Sequence, residues 1–127
     1  MYYIVNTTQS FAHTVAALEA AVKRHHFGVQ HIHDIGTTLR NKGMEFTEEC
    51  KVFEVCDPVY ATQVLALDLR INMALPCRIS VYTENGQTRV GFIKPTDMLS
   101  SLSDHPALMD IATHVENAMM QMVDDVR

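Results

Sequence analysis

Asn85-Gly86 stands between two runs that alternate apolar and polar residues, Cys77 to Thr83 and Gln87 to Ile93. Asn-Gly accepts positive φ at both central positions of a type I′ turn, whose twist matches that of the strands it joins. A two-residue turn also fixes register. Glu84 faces Gln87, Val81 faces Val90 and Ile79 faces Phe92, while Tyr82 and Arg89 meet on the other side. Both apolar pairs then share one face. A slip of one residue would turn each of them outward, so the turn chemistry and the alternation support each other. The hairpin predicts an antiparallel sheet with an apolar face that other elements must cover.

The rest of the chain supplies those elements. Tyr2 to Asn6 reads as a strand by its aromatic and β-branched content. Ser10 is placed to cap a helix in which Phe11, Val15, Leu18 and Val22 recur at helical spacing, ending near His26 with Gly28 as stop signal. Val29 to Ile35 is a second strand. A turn or short helix starts at Thr38 and ends at Gly43, and Lys51 to Cys56 forms a third strand. Asp57-Pro58 opens a helix, since Asp caps well and Pro suits the first helical position. Pro76 bars that helix from running into Cys77. A last helix over about 104–126 is capped by Asp104 or Ser103, with Pro106 in its first turn and Leu108, Ile111, Val115, Met119, Met122 and Val126 as its stripe. The predicted class is α+β in the order β-α-β-β-α-β-β-α, an antiparallel sheet of about five strands with helices on one face. At 127 residues, 47% of them hydrophobic, the chain is expected to be one domain over 1–127.

Fifteen acidic residues outweigh ten basic ones, and the largest basic group is Lys23-Arg24 followed by two histidines. A nucleic-acid binder needs a basic face against phosphates, so that partner is not expected. No run approaches a membrane span, and the start MYYIVNTTQS lacks the basic and apolar segments of a signal peptide. A cytoplasmic location is the expectation, with Cys50, Cys56 and Cys77 reduced.

The segment from Phe53 to Pro95 carries Cys56-Asp57-Pro58 with Ala61 and Leu65, then Leu75-Pro76-Cys77, then a hairpin ending in Pro95. Upstream stand Phe27-Gly28-Val29, Asp34, Thr38-Leu39 and Lys42-Gly43. On these marks the chain, over roughly residues 1–100, resembles the domain of unknown function 302 family of bacteria and archaea. The resemblance implies a bent sheet carrying helices, similar to the TATA-binding-protein type, and a homodimer. It implies neither DNA binding nor any activity. Asp57 stands where the family usually has Asn, and His33 where an aliphatic residue is commoner.

The candidate site gathers at Cys56, Asp57, Cys77 and Lys42. Cys56 precedes a helix start, where the dipole and free amides stabilise a thiolate, while the Asp57 carboxylate opposes that charge. If Cys56 and Cys77 meet, they form a redox pair or hold a soft metal; otherwise they are small packing residues. Lys42 and Arg40, with the helix start at Asp57, are candidates to receive an anion. His31 and His33 point to one face of a strand, but two histidines lack the ligand count of a metal site, and none is assigned. Arg78, Tyr82 and Arg89 on the outer face of the hairpin suit a contact between sheets of a dimer. No nucleophile, base and orienting group can be assembled, so the reading leans away from an enzyme. It favours a homodimeric module binding a small molecule, metal or sulfur species near Cys56 and Cys77. The alternatives are a thiol enzyme using Cys56 and a structural or protein-interaction domain; no cofactor is specified.

Overall fold

The Asn85-Gly86 turn forms as its residues predict, with φ of 52° and 80°. It joins β4 (Cys77–Glu84) to β5 (Gln87–Ile93) with Glu84 opposite Gln87 and Val81 opposite Val90. In this computed structural model, which describes residues 1–127, the other strands are β1 (Tyr2–Thr7), β2 (Gly28–Asp34) and β3 (Cys50–Cys56). The five form one antiparallel sheet in the order β1-β5-β4-β3-β2. The helices are α1 (Phe11–Arg24), α2 (Ile35–Asn41), α3 (Pro58–Leu67), α4 (Pro95–Ser100) and α5 (Pro106–Asp124), with a 3-10 helix at Leu69–Ala74. None is long and apolar enough to cross a membrane.

Alternation along the strands decides where the core lies. Phe53, Val55, Ile79, Val81, Val90 and Phe92 point to one side and are buried. They pack with Leu18, Ala21 and Val22 of α1 and with Met119, Met122 and Val123 of α5. A second cluster joins Val64 of α3, Ile71 of the 3-10 helix, Leu99 of α4, and Leu108 and Ala112 of α5. That small core fixes the connection from α3 to β4. The opposite side of the sheet carries no helix and leaves Tyr2, Ile4 and Ile93 exposed.

Four local expectations are corrected. Gly28 does not stop α1: His25 caps that helix, His26 takes the left-handed turn at φ 64°, and Gly28 begins β2. The cap of α5 is neither Asp104 nor Ser103 but His105, whose Nδ1 accepts from the Ala107 amide at 3.2 Å. The segment holding Ser100, Ser101 and Ser103, which reads as turn-like in the sequence, begins as a helix, because Pro95–Ser100 forms α4. Glu116 of α5 holds it there, accepting from the Thr96 amide at 3.1 Å and from its hydroxyl at 2.7 Å. Finally, the β4–β5 ladder ends at Ser80 opposite Gly91, one rung short of the expected Ile79–Phe92 pair.

Candidate functional site

The early end of that ladder divides the sheet. Beyond Ser80 and Gly91, β4 stays with β3 as far as Val55 opposite Cys77, and β5 stays with β1 as far as Tyr2 opposite Ile93. Carried on in the same register, Pro76 would face Pro95. Neither has an N–H to donate, so no rung can be drawn between them. A cleft of about 570 Å³ opens between the two parts, within the roughly 300–1,000 Å³ of small-molecule sites.

The cleft is floored on the helix-free side of the sheet by His33, Val52 and Ser80, which oppose one another across β2, β3 and β4. Its walls include Met73 to Pro76 on one side and Ile93 and Pro95 on the other. Cys77 and the buried Met119 line it as well, so it reaches the core. Arg78 lines it and is exposed. No Asp or Glu is among the lining residues. Glu54 stands opposite Arg78 in the strand register but bonds to His33 Nε2 at 2.8 Å instead.

Cys56 and Asp57 line a smaller, mainly apolar cavity that shares Leu75, Pro76, Cys77 and Pro95 with the cleft. The strand order places β3 beside β4, and therefore Cys56 one residue beyond the Val55–Cys77 rung. Both are free thiols. Burial pushes the Cys77 thiol up to about 11, with Cys56 adding to the effect. Burial also raises Cys56, and the Asp57 carboxylate raises it further. Desolvation and the neighbouring charge both act against the thiolate that a helix start favours. Asp57 itself caps α3, accepting from the Val59 amide at 2.9 Å. No histidine lines this smaller cavity to act as a base.

Lys42 is not brought to these residues. It caps the C-terminus of α2, next to the Asp34–Lys51 end of the sheet. Cys56 lies at the other end of β3, about 20 Å from Cys50 at the rise of an extended strand. Arg40, its companion in the expected anion site, is folded onto the Phe46 and Glu48 carbonyls and the Glu49 carboxylate. His31 and His33 do share a face, with ring centroids 4.4 Å apart. No third His, Cys, Asp or Glu completes a metal-binding group with them.

Reasoning from the residues missed Val52, Ser80, Ile93 and Pro95 as neighbours of Cys77. The available signal was the pair of prolines bracketing the open end of the hairpin.

A model of the family described as domain of unknown function DUF302 matches residues 3–126. The chain belongs to the DUF302 family. The family match takes in the last helix, beyond the roughly 100 residues that carried the resemblance. A DUF302 relative of known structure, the crystal structure of an uncharacterized conserved protein from Bacillus stearothermophilus, is 35% identical. The match covers 99% of this chain and 98% of that one, with a TM-score of 0.93. Fold and topology are therefore those of DUF302 domains. No curated protein matches the chain.

Proposed function

We propose that this DUF302 domain is a binding module for a small, largely apolar molecule, held in the cleft beside Cys77, and that it works as a homodimer in the cytoplasm. The observation that carries the reading is the break in the sheet. A hairpin whose ladder stops early leaves an apolar recess among core residues, where continued pairing would have filled the space. Pre-formed concave apolar sites with few polar groups are the usual form of small-molecule sites. Cys56 and Asp57 stand behind the shared wall of Leu75, Pro76 and Cys77 and support it from the second cavity.

The thiol-enzyme reading has less support. Both thiols are held in the protonated form by burial, and a nucleophilic cysteine needs the opposite shift. Three free cysteines fit a reducing compartment. The dimer draws on the helix-free face, where Tyr2, Ile4 and Ile93 form an exposed apolar strip along β1 and β5.

Native mass spectrometry of freshly purified protein tests both parts. The expected result is a two-chain species, and uptake of a neutral fluorescent apolar dye such as N-phenylnaphthylamine. A protein that takes up no dye, and whose melting no apolar probe raises, is not a binding module of this kind. A single-chain mass would remove the dimer.

A further inference from the structure

We propose that the ligand of this cleft is a monoanionic amphiphile, a carboxylate on an apolar chain, with Arg78 holding the carboxylate at the mouth. This rests on the binding-module reading and adds the chemical class. The first support is the state of Arg78. Arg24, Arg40, Arg70, Arg89 and Arg127 each hold a carboxylate within ion-pair distance. Arg78 holds none, in a chain where acidic residues outnumber basic ones fifteen to ten. Its cross-strand neighbour Glu54 is the natural partner, and His33 takes it. The guanidinium is left with its donor fork unoccupied, and that fork matches a carboxylate in two-point contact.

The second support is the lining. Arg78 is the only fixed charge among the lining residues, and the nearest carboxylate in the strand register, Glu54, is turned to His33 rather than into the cleft. Ser80, on the floor, adds a hydroxyl that bonds to no other group of the chain and can donate to an anion. Away from Arg78 the walls are apolar, with Leu75, Pro76, Ile93 and Pro95 leading to buried Met119. Cys77 contributes a neutral thiol to the same inner part, which an alkyl or aryl group can contact without a desolvation cost comparable to that of a charged group. One cationic mouth over an apolar interior selects a molecule with one anionic end. A polyanion such as a nucleotide would find one cation and a dry interior, and an amine would meet Arg78 as a like charge.

The test is displacement of N-phenylnaphthylamine from the full-length protein near neutral pH by decanoate, decanol and decylamine. Decanoate is expected to displace the dye at a concentration at least about tenfold lower than decanol, from a charge-assisted contact in a partly dry site, with decylamine the weakest. In R78Q decanoate should fall to the level of decanol, with decanol unchanged, and R78K should recover part of the difference. Because Arg78 is exposed and forms no ion pair, both variants should melt with the parent. Equal displacement by decanoate and decanol would overturn the anion and leave the binding module standing. A decanoate preference that survives in R78Q would overturn Arg78 as the anchor. A protein that takes up no dye and is stabilised by none of the three would overturn both readings.

Discussion

At the scale of single residues, the cysteines carry the sharpest consequences. Cys77 keeps its proton up to about 11, whereas in the unfolded chain it loses it near the ordinary thiol value of 9. Between these values the unfolded state binds fewer protons than the native state, so stability falls as pH rises through that window and is untouched below it. The loss is at most about 3 kcal/mol for a two-unit difference. Urea melts of the parent and of Cys77→Ala at neutral pH and near pH 10.5 should show a steeper decline in the parent; parallel declines would remove Cys77 as the cause. Cys56 gives a second prediction. Its thiol is raised by burial first and by Asp57 second, and Asn caps a helix about as well as Asp. Asp57→Asn should therefore speed alkylation of Cys56 by iodoacetamide at mildly alkaline pH while leaving the melting midpoint nearly unchanged. An unchanged labelling rate would mean that the Asp57 charge is not felt at the sulfur. The residue types at 56–58 and 77 were legible as a candidate site from the sequence. The sign of the shift was not, because it depends on how much apolar surface closes over the sulfur, and that surface comes from distant residues such as Leu99 of α4 and Ile111, Ala112 and Val115 of α5.

At the scale of elements, what was legible had a local cause. The hairpin turn, the Asp57 cap and the α1 stripe each depend on residues within a few positions of one another, and each formed. What was missed depends on distant partners. The six-residue α4 is too short to show a periodicity, and its anchor, Glu116, lies twenty residues away. The cap of α5 moved to His105 because a ring nitrogen can accept as a hydroxyl or carboxylate would. Lys42 was expected beside the Asp57 helix start as a candidate to receive an anion, but strand length leaves it at the far end of β3. The last rung of the β4–β5 ladder makes a prediction of its own. Gly91 pairs with Ile4 of β1, and a Cβ on it would stand 2.8 Å from the Tyr3 carbonyl oxygen and 2.8 Å from Ile4 Cγ1. The oxygen belongs to backbone that is paired across the same strands, so it can move only by pushing β1 away. Gly91→Ala should cost about 1–3 kcal/mol in chemical denaturation, the usual range for forcing atoms into a packed place. A change below a few tenths would mean that β1 yields freely and that the rung is not tight.

For the whole molecule, the question is what faces the side of the sheet that no helix covers. One face of a sheet can stay wet when its outward residues are polar. Part of this face meets that condition, through His31, His33 and Glu54 on β2 and β3, and β2 carries a bulge between Val29 and His31. Bulges and charges are the common means of keeping an exposed edge from pairing. The other side lacks them. β1 reads YYIVNT, with no charge, no proline and no register shift, and its outward Tyr2 and Ile4 adjoin Ile93. This unprotected apolar strip is where the proposed dimer would close, since a self-complementary patch can meet its own copy about a two-fold axis. Ile4→Glu introduces a charge on that strip at a side chain already 43% exposed, so the fold should tolerate it. Light scattering is expected to give two chains for the parent and one for Ile4→Glu, with unchanged circular dichroism. If the variant stays at two chains, the interface lies elsewhere, and the outward residues of β4, Arg78 and Tyr82, become the next to change. Because Ile93 belongs both to this strip and to the cleft wall, loss of the second copy should also weaken dye uptake, and the size of that effect measures how far the partner helps to close the site.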